Sequence, residues 1–147
     1  MRLLRLRSAR LGTGLSVLAL TLAGCSSGSS QSASRAPTVR IKERDFRITL
    51  APRRVRAGTV RLVLHNEGPD AHELLVVRSS RTALPLRSDG LTVDEEALDR
   101  ATVGVIEGKE PGTVEEVTVH LKPGRYELFC NMAGHYLGGM RAELVVT

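Results

Sequence analysis

The sequence predicts an all-β protein, a Greek-key β-sandwich with one short helix in a long connection. Three observations lead to this prediction. Apolar residues alternate with charged ones in several short runs, prolines and glycines separate the runs, and the final 110 residues hold about seven of them, as such sandwiches do. We therefore predict a single folded domain at 38–147.

The alternation has the period of two that is typical of strands with one buried face. Val39 and Ile41 alternate with charged residues, and after a break Phe46, Ile48 and Leu50 do the same, which predicts two strands. Similar runs lie at 60–64, 72–77, 114–121, 126–130 and 143–147. Turn residues separate them at Pro52, Gly58, Gly68-Pro69, Pro111-Gly112 and Pro123-Gly124.

The segment 78–110 does not follow this alternation and is predicted to be an excursion from the sandwich. Residues 94–101 within it favour a short helix, because acidic side chains occupy the first turn and an arginine the last. The excursion is expected to form either a docking surface or a cover on the sandwich.

The first residues are predicted to be an export signal and not part of the fold. Residues 1–24 combine a basic start with an apolar stretch at 11–23 that is shorter than the roughly 20 residues a membrane span needs. Leu22-Ala23-Gly24-Cys25 resembles a bacterial lipobox, which implies lipidation of Cys25. Residues 25–37 then form a serine-rich tether. The alternative is an ordinary signal peptide with an incidental Cys25.

The net charge of +5 points to export and not to a nucleic-acid partner. Four of the 21 basic residues are the arginines of the signal, so removing it leaves 17 basic residues against 16 acidic ones. Aromatic residues make up 3% of the chain and tryptophan is absent, so platforms for base stacking are scarce. We therefore expect no nucleic-acid partner.

Four side chains point to a metal site. Cys130, His135 and Met140 follow one another at five-residue intervals, and His72 lies upstream after a turn. A thiolate and two imidazoles with a weak axial thioether are the donors of blue-copper electron-transfer sites. The thiolate favours the reduced ion, the imidazoles accept both oxidation states, and a weak thioether disfavours Cu(II). We predict one copper ion held by these four residues.

The motifs around these donors resemble those of the cupredoxins, the small blue copper proteins. The resemblance covers 39–147 and includes the turn Asn66…Gly68 before His72 and the strand Gly124-Arg-Tyr-Glu-Leu-Phe-Cys130 before the ligand loop. Both spacers of the Cys-x4-His-x4-Met loop contain four residues, as in rusticyanin-like and sulfocyanin-like members. The resemblance implies the cupredoxin fold, the copper ion and an electron-carrier function.

Two positions depart from the family pattern. Ala133 stands where many members have proline. Glu73 stands where azurins have an asparagine that bonds to the cysteine loop, so Asn131 or a backbone amide is expected to supply that bond. His65 and His120 lie on predicted strands and are interpreted as structural.

The resemblance further implies that His135 reaches the surface through an apolar docking patch, for which we predict Met132, Ala133, Tyr136 and Leu137. The expected function is to carry single electrons between extracytoplasmic redox partners, such as a cytochrome, an oxidase or another copper enzyme. We expect no enzymatic activity of the chain's own, and membrane attachment through the lipid on Cys25.

Other copper proteins fit the sequence less well. A copper-delivery lipoprotein without a redox role remains the alternative, although such carriers favour methionine-rich sites and this chain has three methionines in all. A binuclear copper-A domain needs two cysteines in the ligand loop, which has one, and a multicopper oxidase needs further domains. With Cys25 lipidated and Cys130 on copper, no disulfide is expected.

Overall fold

The computed structural model describes residues 35–79 and 83–147. The predicted signal peptide and nearly all of the predicted tether, including Cys25, lie outside these residues. The elements follow the order β1 (Thr38–Arg44), β2 (Arg47–Ala51), β3 (Arg54–Val55), β4 (Gly58–Asn66), β5 (His72–Arg78), α1 (Glu95–Leu98), β6 (Thr102–Lys109), β7 (Val114–Leu121), β8 (Gly124–Phe129) and β9 (Arg141–Val146).

These strands form two sheets and confirm the predicted sandwich. The first sheet has the order β2-β1-β4-β7, and the second has the order β3-β9-β8-β5-β6. Most pairs are antiparallel, whereas β1 pairs with β4 and β3 with β9 in parallel. Parallel pairing requires a crossover, so the chain changes sheets repeatedly instead of forming a simple meander.

The core between the sheets follows from the alternation of the sequence. Along β1 the odd-numbered residues from Val39 are buried and the even-numbered ones exposed, and β4 and β9 show the same period. The buried members include Ile41, Leu62 and Leu144, together with Cys130 and Met140 from the predicted metal site. Cys130 and Met140 therefore belong to the same packed interior that holds the two sheets together.

The excursion forms a cover on the outer face of the second sheet. In β5 the run from Leu74 to Val77 is buried on both faces. The outward members pack in a second cluster with Leu84, Val93, Phe129 and Tyr136. A continuous apolar run is what a strand covered on both sides requires. The predicted helix is confirmed as α1, with Asp94 as its N-cap accepting the backbone N–H of Ala97.

The sequence prediction was wrong about the end of this segment. Residues 102–109, assigned to the excursion, form β6, an edge strand that pairs with β5. Only Ile106 in β6 is buried, and Gly104 and Gly108 interrupt the run, so a period-two signal was absent. Gly104 is needed for packing, because a Cβ there would lie 2.7 Å from a methyl group of Val119.

The prediction was also wrong about Phe46. Ile48 and Leu50 lie on β2 and point into the core, but Phe46, assigned to the same run, lies in the turn between β1 and β2 and is 53% exposed. Its φ of 58° is unusual for an aromatic residue. Within the described ranges, no helix is both long and apolar enough to cross a membrane.

Candidate metal centre

The four predicted donors meet at one end of the sandwich because three of them lie at or beside strand ends. His72 is the first residue of β5, Cys130 follows β8 directly, and Met140 directly precedes β9. The antiparallel pairing of β8 with β9 and of β5 with β8 brings these ends together. His135 lies in the loop between Cys130 and Met140.

Backbone hydrogen bonds hold the ligand loop in a fixed path. The N–H of Cys130 donates to the carbonyl of Met140 at 3.1 Å, which closes the loop, and the N–H of Met140 donates to the carbonyl of His135 at 2.9 Å. Gly134 and Gly139 have φ of 80° and 99°, which other residues adopt only with strain. These hydrogen bonds and the two glycines fix the path of the loop from Cys130 to Met140.

Asn66 fixes the turn that delivers His72. Its Oδ1 accepts the N–H of Gly68 at 2.9 Å, and its Nδ2 donates to the carbonyls of Asp70 and Lys109, both at 2.8 Å. These three bonds satisfy a buried amide and tie the turn to the end of β6. The asparagine noted in the sequence motif is thus a structural support for the first histidine.

The donor atoms form a compact cluster. The ligand atoms of His72, Cys130 and His135 all lie within 4.8 Å of one another, and His135 Nδ1 is 3.5 Å from Cys130 Sγ. Met140 is fully buried in the same core as Cys130. His72 is also fully buried, and its Nδ1 has no hydrogen-bond partner among the described residues. A buried imidazole nitrogen without a partner fits a position that a metal ion fills.

The tautomer of His72 agrees with metal binding through Nδ1. Its Nε2 lies 3.1 Å from Oδ1 of Asp45, and a carboxylate only accepts, so Nε2 carries the proton and Nδ1 the lone pair. Burial, assisted by the neighbouring His135, lowers the pKa of His72 below its usual value. The ring is therefore neutral at pH 7, the form in which imidazole binds metals.

Two backbone amides face the Cys130 sulfur. Burial raises the pKa of the Cys130 thiol to about 11, while the backbone N–H groups of Glu73 and Met132 act in the opposite direction. Backbone amides, one of the two alternatives considered from the sequence, thus face the thiolate. The Asn131 side chain instead bonds the backbone N–H and carbonyl of Val93 at 2.6 and 3.0 Å, which docks the excursion onto the ligand loop.

The surface around His135 differs from the prediction at one residue. Met132 is 38% and Leu137 52% exposed, and Ala133 is exposed beside them. Tyr136, predicted to belong to this patch, is 4% exposed, because its ring packs edge-on against Phe129 and its hydroxyl accepts a hydrogen bond from Arg141. Tyr136 therefore anchors the excursion instead of contributing to a docking surface.

Three residues near the site were not singled out from the sequence for any role there. Asp45 bonds to His72, the ring of Phe46 packs against that of His135, and Glu43 is fully buried in β1 with both carboxylate oxygens unpartnered among the described residues. No sequence signal marks a role at the metal site for the first two, which lie in the turn between β1 and β2. Glu43 does have a sequence signal, because it is an acidic residue at an inward position of the alternating run of β1.

Two further histidines lie outside the cluster. The ring of His65 is 3.4 Å from the carboxylate of Glu67, and His120 is exposed on β7.

Comparison with known proteins gives the class of fold. No protein-family model and no curated sequence matches the chain significantly. Solved structures do match. Auracyanin B is 25% identical over 76% of this chain and 89% of its own, with a TM-score of 0.57. Auracyanin A of Chloroflexus aurantiacus, described as a "blue" copper protein, is 20% identical over 75% and 98%, with a TM-score of 0.55. Rusticyanin of Thiobacillus ferrooxidans is 14% identical over 76% and 79%, also with a TM-score of 0.55.

The fold is that of the cupredoxins, as the sequence motifs implied. The cluster of His72, Cys130 and His135, together with the buried Met140, fits a type 1 copper site in donor chemistry and compactness.

Metal uptake is expected to depend on pH through Cys130. The metal binds the thiolate, and the raised pKa of this thiol means that a proton must leave at pH 7. We expect the affinity of the copper-free protein for Zn²⁺ to rise about tenfold for each pH unit between about 7 and 9. Competition with a chelator of known protonation measures this slope. Cys130→Ala is the control, and its affinity for Zn²⁺ should not show this dependence on pH. A wild-type affinity that is just as independent of pH would contradict the assignment.

Proposed function

We propose that the chain binds one copper ion through His72, Cys130, His135 and Met140 and carries single electrons between extracytoplasmic redox partners. When bound, copper supplies a centre that gains and loses one electron. The residues supply the donors, their fixed positions and the exclusion of water. The chain is then a carrier and has no catalytic turnover of its own.

The main support is the convergence of three soft or borderline donor atoms within 4.8 Å at the end of a packed sandwich. His72, Cys130 and Met140 are fully buried, and the ligand loop is tied by its own hydrogen bonds. A rigid, largely buried donor set changes little when an electron arrives or leaves, and small structural change favours rapid electron transfer.

The partly exposed His135 supports a docking role for its end of the molecule. Ala133, Met132 and Leu137 are exposed in the same loop, and apolar surface that is small in area suits contacts that form and release quickly. We propose that a cytochrome, oxidase or other copper protein docks there.

Copper delivery is the less favoured alternative. A delivery protein must pass its ion to a partner, which is easiest from exposed donors, whereas three of the four donors here are fully buried. Burial favours retention of the ion over many electron transfers.

The proposal also includes attachment to the outer side of the cytoplasmic membrane or to an outer membrane through lipidated Cys25. It depends on the lipobox-like sequence Leu22-Ala23-Gly24-Cys25 and on the serine-rich residues after it. A tether of this composition would let the domain reach partners at some distance from its anchor.

Copper titration with electrochemistry tests the proposed function. We expect one equivalent of Cu²⁺ to produce an intense visible band of thiolate-to-copper charge transfer, and the loaded protein to cycle reversibly by one electron without losing metal. Copper that binds without the band argues against a type 1 site. A blue protein that releases copper on reduction would instead be a delivery protein.

A further inference from the structure

The two-residue turn between β1 and β2 contacts both imidazoles of the metal site. Asp45 Oδ1 lies 3.1 Å from Nε2 of the fully buried His72. The ring of the next residue, Phe46, packs edge-on against the ring of His135, with 5.3 Å between centroids and an interplanar angle of 61°. One short turn, distant in sequence from every donor, therefore touches the site at two points.

The backbone of this turn has an unusual conformation that places the two side chains. Phe46 has a φ of 58°, and among the described residues it is the only one besides glycines with a positive φ. For a bulky residue this conformation costs free energy and persists only where the surrounding structure holds it. Its ring is nevertheless half exposed, so burial in the core is not what holds Phe46 there.

Two glycines leave room for these contacts. A Cβ on Gly138, in the ligand loop, would lie 2.2 Å from Cδ1 of Phe46, so only glycine lets that ring lie over the loop. A Cβ on Gly68 would lie 2.8 Å from Nε2 of His72 and 3.1 Å from Oδ1 of Asp45. Neither glycine has a positive φ. The need for glycine at these two positions therefore comes from the space that the side chains of the turn occupy and not from backbone conformation.

We propose that Asp45 and Phe46 are positioning residues that hold the two histidine ligands from outside and set the reduction potential of the site in opposite directions. This inference depends on the proposed function, because it assigns the turn a role towards the copper that the four donors would hold.

The opposite directions follow from the chemistry of the two side chains. A carboxylate that accepts the Nε2 proton makes His72 a more basic ligand and adds negative charge, both of which favour Cu²⁺ over Cu⁺. The Phe46 ring covers part of His135 and keeps water away from the site. Less water disfavours the more highly charged oxidised state and therefore favours Cu⁺.

Paired variants on the same turn test the proposal. In Asp45→Ala the affinity for Cu²⁺ relative to Cu⁺ should fall about tenfold, so the reduction potential rises by about 59 mV. Asp45→Asn, which keeps an acceptor without the charge, should move the potential in the same direction by less. Phe46→Ala should lower the potential, and Phe46→Leu should lower it less because an apolar side chain still covers the ring.

A measurement without copper redox chemistry complements the potentials. The affinity of the copper-free protein for Zn²⁺ should fall roughly 10- to 100-fold in Asp45→Ala, as for other partners of metal-bound histidines. Thr49→Ala, an exposed and uncharged change on β2, is the matched control and should alter neither quantity. Thermal melting of the copper-free variants reports whether each is folded, and Asp45→Asn serves the same test if Asp45→Ala is not.

The outcomes separate this inference from the proposed function. Opposite potential shifts with a weakened Zn²⁺ site support the positioning roles. A second outcome is a wild-type protein that is blue and cycles reversibly, while the Asp45 and Phe46 variants shift the potential in the same direction or leave it at the value of Thr49→Ala. That outcome overturns the positioning roles alone. A wild-type protein that binds neither Cu²⁺ nor Zn²⁺ overturns the proposed function and this inference with it.

Discussion

Cys130→Ser is expected to abolish the intense visible band of the copper-loaded protein. The band needs a thiolate bonded to Cu²⁺, and a serine hydroxyl is a hard and far less acidic donor that does not replace it. Cys130 is fully buried, its Sγ lies 3.5 Å from Nδ1 of His135, and it is the only cysteine among the described residues. We expect complete loss of the band and a weakened affinity for copper.

The other cysteine provides the matched control. Cys25→Ser should leave the band at full strength, because residue 25 lies before the predicted domain at 38–147 and has no predicted role in the metal site. Absorption spectra of both variants at equal copper loading make the comparison. Survival of the colour in Cys130→Ser, or its loss in Cys25→Ser, would show that the ligand assignment is wrong.

Glu43→Gln is expected to change how stability depends on pH. Glu43 is fully buried, and neither carboxylate oxygen has a hydrogen-bond partner among the described residues. Burial, with a contribution from the charge of Glu73, raises the pKa of Glu43 from 4.5 to about 8. A carboxyl that stays protonated in the folded state binds more protons folded than unfolded between these two values.

The sign of the effect follows from this proton balance. Below pH 4.5 Glu43 is protonated in the folded and the unfolded protein, and its contribution to the free energy of unfolding is fully present. That contribution is lost as the pH rises through about 8, because the unfolded chain releases the proton while the folded protein retains it. Relative to Glu43→Gln, the copper-free wild type should lose about 1.4 kcal/mol for each pH unit across this window, which amounts to several kcal/mol in total.

Denaturant unfolding at a series of pH values measures this difference. Taking the difference between wild type and variant removes the contributions of titrating groups that do not interact with Glu43. Glu110→Gln, at an exposed position, is the control and should run parallel to the wild type. Glu43→Met should be more stable than the wild type at about pH 8, since it removes a buried polar group. Parallel curves for wild type and Glu43→Gln would indicate that Glu43 is ionised or hydrated in the folded protein.

Much of the fold could be predicted because the alternation in β1, β4 and β9 records directly which face of each strand is buried. The edge strand β6 could not, since an edge strand with one buried residue imposes little pattern on its sequence. The burial of Tyr136 could not be predicted from its sequence neighbours either, because it depends on a cover formed by residues from Leu84 to Leu98.

The sequence by itself determined the sandwich, the short helix and the four candidate donors. The reason is that period-two burial and the residue types around Cys130 and His135 are local properties. The tertiary structure decided what surrounds those donors. It brought Asp45 and Phe46 of a distant turn onto the two imidazoles, and it placed Glu43 in the core. Such contacts follow from the packing of the sheets and the paths of loops, which no local pattern encodes.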